Sequence, residues 1–324
     1  MGSCAPSDDL PSSFAEVAAA GFTNLEPNFT SPDQVDQFFG AMKPLGIAMP
    51  SIYVNSVLHE STAAARSIDE ALRIATRARD VAQSSIVVTN PSPIRWGGPE
   101  NKTDAELLIQ GKALQRLGAA LHAEGLTLAY HNHDSEFRLG AREYHHMHNA
   151  TDPAHVKFCL DAHWVFRGSG DSQLAVFDTI ALYGQRVVEL HLRQSSGGVW
   201  TETFTPTGDI DYPRLIESMS HLGLRPLLTL EQAVESSSTH TMTALEAHRA
   251  KRTYHLTGLS VITACGAAKF IPSSRASPPS SYPMKKLLLG SFLAGLALFM
   301  WGFIYYGISG IPYKFLGSPD ASAC

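Results

Sequence analysis

The chain has 324 residues, a formal net charge of −5 and a sequence pI near 6.3. This length suits one large α/β domain with an appendage, or two domains. The acidic balance and the lack of a basic run argue against a nucleic-acid surface. The four cysteines lie far apart, with no Cys-x-x-Cys pair, which predicts neither a disulfide framework nor a cysteine zinc site and suits a reducing compartment.

Short apolar segments alternate with helical patterns along residues 1–257. The pattern predicts seven strands, at residues 22–27, 47–54, 85–89, 126–130, 156–160, 187–192 and 226–230. The predicted helices cover residues 13–20, 31–45, 63–83, 103–124, 172–183, 213–222 and 241–254. Strands and helices that alternate at this spacing indicate βαβ units with a parallel sheet.

Seven strands are one fewer than a closed (β/α)8 barrel requires. Residues 1–10 contain no apolar run that predicts a strand ahead of the first helix. We therefore expect an α/β fold, a (β/α)8 TIM barrel over residues 1–257 that lacks its first strand. An open, doubly wound sheet is the alternative, although no Gly-x-Gly-x-x-Gly motif follows any predicted strand.

The composition changes beyond residue 257. Residues 258–283 are rich in Ser, Pro and Ala, as in a linker. Residues 284–310 begin with Met-Lys-Lys and continue as an uncharged apolar run that is long enough to cross a bilayer as a helix. Residues 311–324 form a short tail. The lysine pair predicts a cytoplasmic domain that a single C-terminal transmembrane helix anchors to the membrane.

The same segment permits a second interpretation. Met284, two lysines and an apolar run also resemble the start of another protein with its own signal sequence. A gene-boundary error would produce such a join, and it would also account for the lack of a first strand. The genomic reading frame around Met1 and Met284 would distinguish a natural anchor from such a join.

Ionisable side chains follow the carboxyl ends of four consecutive predicted strands, where the active sites of parallel barrels lie. In chain order these side chains are His131, His133 and Glu136, then Asp161 and His163, then His191 and Arg193, then Glu231. Asp, Glu and His without Cys suit a divalent ion such as Mn²⁺, Co²⁺ or Zn²⁺. A carboxylate at the end of a buried strand is costly unless it is paired or metal-bound, which favours a functional interpretation of Asp161 and Glu231.

Five segments carry a resemblance to a known family: LAYHNHDSEF, VKFCLDAHWVFRGSGD, VVELHLRQ, PTGDIDY and PLLTLEQ. Together they resemble the sugar phosphate isomerase/epimerase family with a xylose isomerase-like TIM barrel, which includes inosose dehydratase. The similarity covers roughly Leu10 to Tyr254 and excludes the tail. It implies a divalent metal held at successive strand ends, with the ligands Glu136, Asp161, His191 and Glu231. As the first ligand, Glu143 and His133 are alternatives to Glu136.

The chain departs from the family pattern after the strand at residues 187–192. Many members have Lys-Asp following the histidine of this strand, where this chain has Arg193 and Gln194. We expect the next loop to shape the substrate pocket, with Arg193 and Glu202 facing the ligand, although a surface ion pair between them is an alternative. His131 and Glu26, each at the end of a predicted strand, are further candidates for substrate contacts.

The resemblance implies an isomerase or epimerase that transfers a proton next to a carbonyl of a small sugar or cyclitol through an enediolate. Glu136 or Glu231 would take the proton, with His133 or His163 as the shuttle. Dehydration of the inosose type shares this intermediate. A membrane-tethered carbohydrate-binding domain without turnover is the alternative class. The acidic balance argues against an endonuclease on the same barrel, and homo-oligomerisation is left open.

Overall fold

The computed structural model describes residues 10–205, 207–231, 234–243, 245–247 and 249–250. Its helices are α1 (Leu10–Ala19), α2 (Pro32–Met42), α3 (Ser61–Ala82), α4 (Asp104–Ala123), α5 (Asp134–Asn149), α6 (Ala162–Gly168), α7 (Gln173–Tyr183) and α8 (Tyr212–His221). Its strands are β1 (Ser51–Tyr53), β2 (Ile86–Thr89), β3 (Thr127–His131), β4 (Val156–Asp161), β5 (Val187–Leu192), β6 (Ser195–Ser196), β7 (Val199–Trp200) and β8 (Leu227–Leu230). Short 3₁₀ segments cover Lys43–Leu45 and Gly184–Arg186.

Six strands form one parallel sheet in the order β1-β2-β3-β4-β5-β8. Residues 23–29 run beside β1, where isolated bridges join Asn24 to Ala48 and Asn28 to Tyr53. The predicted α/β fold with a parallel sheet is thus confirmed. The strand predicted at residues 22–27 is instead an extended segment with isolated bridges, and it contains Pro27, which has no N–H to donate to a ladder.

The sheet is curled, as in a TIM barrel. Ser51 Oγ of β1 lies 3.1 Å from Glu189 Oε1 of β5, although three strands separate β1 from β5 in the sheet. Such a contact across the inner face requires the sheet to be strongly curled. Within the described part of the chain, β8 pairs only with β5, so no eighth strand from these residues closes the barrel.

The two faces of the sheet carry different chemistry, because successive side chains of a strand point to opposite faces. The outward side chains of the neighbouring strands β3, β4 and β5 pack in the main hydrophobic core: Leu128, Tyr130, Phe158, Leu160, Leu190 and Leu192. Their alternate positions on the inner face hold small, polar or charged side chains: Ala129, His131, Cys159, Asp161, Glu189 and His191. The strands therefore supply a core on one side and a site on the other.

Local signals explain where two helices begin. The helix α4 starts at a capping box, in which Thr103 Oγ1 accepts from the N–H of Glu106 at 3.3 Å and Glu106 Oε2 accepts from the N–H of Thr103 at 2.7 Å. The helix α5 was not predicted from the sequence. It is interrupted at Arg138–Ala141, where Leu139 and Ala141 adopt φ angles of 52° and 58°, and this break disrupts the helical period.

The predicted tail cannot be compared with the structure. The linker at residues 258–283, the span at 284–310 and the tail at 311–324 all lie outside the described residues. Among the residues that are described, no helix has the length and apolar character needed to cross a membrane. Membrane anchoring and the location of the domain therefore stay predictions.

Candidate metal centre

The carboxyl ends of four neighbouring strands bring four ionisable residues to one place. Asp161 of β4 is in register with His191 of β5, and His191 is in register with Thr229 of β8. Glu231 follows two positions after Thr229, so it shares the same face. His131, the last residue of β3, lies on the same inner face, in register with Cys159, one inner position before Asp161.

Three of these residues form a group that fits a metal ion. Asp161, His191 and Glu231 each offer one ligand atom, and these atoms lie within 4.8 Å of one another. Asp161 Oδ1 accepts from the N–H of Trp164 at 2.9 Å, whereas the buried Asp161 Oδ2 has no hydrogen-bond partner among the described residues. Burial raises the pKa of Asp161 to about 7, against the opposing charge of Arg193. A divalent cation would satisfy this oxygen, and one imidazole with two carboxylates suits such an ion.

Two carboxylates lie behind His191. Its Nε2 is 3.1 Å from Glu26 Oε1 and 3.9 Å from Glu189 Oε1, while its Nδ1 is 3.9 Å from Glu231 Oε2. Burial lowers the pKa of His191, but Cys159 and Glu26 outweigh this effect and raise the pKa well above its usual value. A carboxylate that holds one ring nitrogen orients the other toward a metal. Glu26 was predicted to contact the substrate; in the structure its carboxylate contacts His191.

Glu189 was not among the candidate site residues predicted from the sequence. Its Oε1 accepts from Ser51 Oγ at 3.1 Å and from Thr229 Oγ1 at 2.6 Å. Burial and the neighbouring carboxylate of Glu26 raise the pKa of Glu189 to about 8. It lies two positions before His191 in the segment VVELHL, so strict alternation along this strand would have placed it on the same face.

Glu136 is held by structural contacts. It belongs to none of the three candidate metal groups found among the described residues. Its Oε2 accepts from the N–H of His133 at 2.8 Å and from Ser135 Oγ at 2.9 Å, and its Oε1 accepts from Asn90 Nδ2 at 3.1 Å. The carboxylate therefore caps the first turn of α5 from the N3 position of a capping box.

Glu143, the alternative first ligand, lies in α5 on the side that faces α4. Its Oε1 is 2.6 Å from Lys102 Nζ and 2.7 Å from Gln110 Nε2. Burial and the charge of Glu136 raise the pKa of Glu143, and Lys102 opposes this shift. The carboxylate thus forms a buried ion pair with the segment before α4 and a hydrogen bond with α4 itself.

His131 faces the candidate metal group directly. Its Nε2 lies 3.9 Å from Asp161 Oδ2, and its ring centroid lies 4.7 Å from that of His191. Its Nδ1 is 3.4 Å from Tyr53 Oη. Burial and the charge of His191 lower the pKa of His131 well below its usual value, so its imidazole is neutral.

The two predicted proton shuttles lie among tryptophans. The ring of His133 is 5.1 Å from Trp96 and 5.3 Å from Trp164 between centroids, and burial lowers its pKa to about 4. His163 lies in α6 and is fully buried, with its ring 5.9 Å from that of Trp200. Burial lowers the pKa of His163 to about 3. Both imidazoles are therefore neutral near pH 7.

Arg193 and Glu202 make separate contacts. Arg193 forms an ion pair with Glu231, and its guanidinium lies over the ring of Trp200 at 3.9 Å from the centroid. Glu202 accepts hydrogen bonds from the N–H groups of Thr241 at 2.7 Å and Met242 at 2.6 Å. Of the pair predicted to face a ligand, Arg193 adjoins the candidate metal group, whereas Glu202 holds residues 241 and 242 in place.

Comparison with solved structures shows the same fold at low identity. A sugar phosphate isomerase/epimerase from Parabacteroides distasonis has a TM-score of 0.62 and 16% identity, covering 77% of this chain and 92% of that chain. An L-ribulose 3-epimerase has a TM-score of 0.61 and 17% identity, covering 83% and 94%. A xylose isomerase-like TIM barrel protein from Mycobacterium smegmatis in complex with magnesium has a TM-score of 0.60 and 16% identity, covering 81% and 90%.

The family is identified by a match to the sequence itself. None of the curated proteins compared with the chain matches it. The model of the family described as "Xylose isomerase-like TIM barrel" matches residues 14–253, which include every strand of the curled sheet. The chain therefore belongs to the family of xylose isomerase-like TIM barrels.

Proposed function

We propose that this protein is a divalent-metal-dependent isomerase or epimerase of a small sugar. The observation that carries the proposal is the group of Asp161, His191 and Glu231, whose ligand atoms lie within 4.8 Å at the carboxyl ends of parallel strands. The names of the similar solved structures support a sugar as the substrate class, and the magnesium complex supports a divalent ion.

Asp161, His191 and Glu231 would hold the ion, and the ion would supply a Lewis acid that polarises a substrate carbonyl. Glu26 would keep His191 oriented through its Nε2, at 3.1 Å. Arg193 pairs with Glu231 and stacks on Trp200, so it would position the carboxylate at the mouth of the site.

Glu231 is the residue best placed to remove the proton next to the carbonyl. Its side chain is 37% exposed, whereas Asp161 and His191 are buried. Burial raises the pKa of Glu231, but Arg193 and His191 outweigh this effect and hold the pKa below its usual value. The carboxylate is therefore ionised at neutral pH and available as a general base.

His133 would exchange a proton with the opposite side of the resulting enediolate. It is only partly buried, and its neutral ring faces Trp164 next to the site. Return of the proton to the same carbon on the other face gives epimerisation, and return to the neighbouring carbon gives isomerisation. Loss of a hydroxyl from the same intermediate would instead give dehydration.

The proposal is tested with the purified full-length chain after treatment with a chelator. Mn²⁺, Co²⁺ or Zn²⁺ is added back, and exchange of carbon-bound hydrogen is followed by NMR in D₂O with a panel of ketoses and inososes. We expect exchange that requires the ion and is lost in Glu231→Gln. The matched control is Glu106→Gln, which changes a carboxylate at the start of α4, outside the site.

The products identify the reaction, because an epimer, an isomer and a dehydrated product differ in their NMR spectra. A chain that binds no divalent ion would overturn the proposal. Exchange that proceeds equally well in Glu231→Gln would overturn the role of Glu231. Sugar binding without any exchange would favour a carbohydrate-binding domain.

A further inference from the structure

We infer that His131, rather than Glu136, is the fourth side chain of this metal centre. The ion would then be held by two imidazoles and two carboxylates, one from each of four neighbouring strands. This inference rests on the proposed function, because it concerns the ligands of the same ion. It departs from the carboxylate-rich set that the family resemblance implies for this chain.

The first argument is the position of His131 on the inner face of the sheet. Asp161, His191 and Glu231 occupy the innermost face at the carboxyl ends of β4, β5 and β8. On β3, the last residue is His131, which also lies on the inner face and is in register with Cys159, one inner position before Asp161. Glu136 lies five residues further on, in the first turn of α5. The sheet therefore presents His131 to the ion, and Glu136 lies beyond the strand.

The second argument is the buried lone pair of His131. The Nε2 atom is buried, makes no hydrogen bond among the described residues and lies 3.9 Å from Asp161 Oδ2, which also makes none there. The opposite ring nitrogen, Nδ1, is 3.4 Å from Tyr53 Oη. An Nδ1–H that donates to Tyr53 leaves the Nε2 lone pair directed at the ion, which is the usual arrangement of a metal-bound histidine.

The third argument is that Glu136 is fully engaged. Its two oxygens accept hydrogen bonds from the N–H of His133, from Ser135 Oγ and from Asn90 Nδ2. Turning this carboxylate toward the ion would break the capping box of α5 and would leave buried donors without an acceptor. His131 needs no such rearrangement.

The donor set predicts which ions bind best. Imidazole nitrogen suits Zn²⁺ and Co²⁺, whereas an all-oxygen set suits Mg²⁺ and Mn²⁺. Two imidazoles and two carboxylates therefore predict a preference for Zn²⁺ or Co²⁺ over Mg²⁺. Cys159 is a rival ligand, because its sulfur groups with His131 and His191 within 4.8 Å. The absence of sulfur among the ligands is therefore part of the test.

The test counts imidazole ligands by X-ray absorption of the Zn²⁺-loaded full-length chain. We expect two imidazoles and no sulfur in the wild type, and one imidazole in His131→Gln. Calorimetric titration should show that Zn²⁺ affinity is at least about 100-fold lower in His131→Gln. Loss of an outer-shell partner lowers metal affinity by up to about 100-fold, and loss of a direct ligand should cost at least as much. Glu136→Gln should retain the wild-type affinity, because Gln also serves in a capping box.

Two further variants keep the test decisive if His131→Gln does not fold. His131→Glu replaces nitrogen by oxygen and should shift the preference from Zn²⁺ toward Mg²⁺. His59→Gln removes another buried imidazole outside the site and should leave the affinity unchanged. Circular dichroism of the metal-free variants shows whether each one folds.

The outcomes separate this inference from the proposed function. A wild-type chain that binds no ion would overturn both. Zn²⁺ binding with a single imidazole, with sulfur as a ligand, or with affinity that is lost in Glu136→Gln and kept in His131→Gln would overturn the assignment of His131. The three-residue group of Asp161, His191 and Glu231 would then still stand.

Discussion

The outer and inner faces of the curled sheet are built from the same strands but have different roles. On the outer face, Phe158 and Leu160 of β4 are fully buried against apolar neighbours. On the inner face of the same strand, Asp161 is also fully buried, yet one of its oxygens has no hydrogen-bond partner in the described part of the chain. Burial alone therefore does not distinguish a core from a site.

The difference lies in whether the buried groups are satisfied. Apolar side chains gain free energy on leaving water, whereas a buried carboxylate without a partner loses it. Proteins tolerate this loss of stability where the buried group has a function, so buried polar atoms without partners indicate a functional site. Changes on the outer face should accordingly affect folding, and changes on the inner face should affect metal binding.

The largest expected effect on stability is on the outer face. Phe158→Ala should lower the free energy of unfolding by about 3–5 kcal/mol, because it removes a fully buried ring and leaves a cavity. Denaturant unfolding of the full-length chain measures this. Metal affinity of the folded protein should stay unchanged. A loss below about 1 kcal/mol would show that the outer face relaxes around the cavity.

The buried ion pair between Lys102, just before α4, and Glu143 of α5 should come next. Lys102→Met leaves the carboxylate of Glu143 buried without its cation, and we expect a loss of about 3 kcal/mol, the lower end for a broken buried pair. Glu143 is 11% exposed, which limits the cost. The double variant Lys102→Met/Glu143→Leu should recover most of the loss. A large loss of metal affinity in Glu143→Gln would contradict a purely structural role for this pair.

The inner face should behave in the opposite way. Asp161→Asn keeps a side-chain oxygen that can accept from the N–H of Trp164, so the start of α6 is preserved. We expect metal affinity to fall at least about 100-fold, or roughly 2.7 kcal/mol. Calorimetric titration measures the affinity. Thermal unfolding of the metal-free protein serves as the control and should show no loss of stability; a strongly destabilised variant would assign Asp161 to the core instead.

The smallest expected effect is at the exposed start of α4 and depends on pH. Hydrogen bonds from the backbone and side chain of Thr103 lower the pKa of Glu106 below its usual 4.5. The charged carboxylate therefore stabilises the folded state above pH 4.5, and this contribution is lost as the pH falls through the lower folded-state pKa. Glu106→Gln keeps the capping box but removes the charge, so we expect a loss of about 0.3–1 kcal/mol at pH 7.

The measurement is denaturant unfolding of wild type and Glu106→Gln between about pH 3 and pH 7, a range that includes the ordinary pKa of glutamate. The difference between the two proteins should shrink toward zero at the acidic end. A difference that is independent of pH would mean that the charge of Glu106 contributes nothing to the stability of α4.

The pattern of strands was largely predictable from the sequence. Apolar runs at residues 47–54, 85–89, 126–130, 156–160, 187–192 and 226–230 all overlap strands of the parallel sheet. A run of this kind reflects burial and alternation, which are local properties. The predicted strand at residues 22–27 forms only isolated bridges, because pairing depends on neighbours that no local pattern contains.

The positions of candidate residues in the fold could be predicted inside the strands but not beyond them. Asp161 ends β4, His191 is the second-last residue of β5, and Glu231 directly follows β8, so the pleat alone places all three on the inner face. Glu136 and Glu143 follow β3 at a greater distance, where the chain has already turned into α5. Their contacts with Asn90 and Lys102 come from other parts of the chain, and spacing along the sequence cannot predict such partners.

The sequence alone determined the class of fold, the order of the strands in the parallel sheet, and the residue types that reach the end of each strand. Only the tertiary structure decided which of those groups remain available to an ion. Glu26 is paired with His191, Glu136 closes a helix, and the Nε2 of His131 faces Asp161. The physical reason is that hydrogen-bond partners are chosen by three-dimensional proximity, whereas alternation and periodicity are fixed by the backbone of each element.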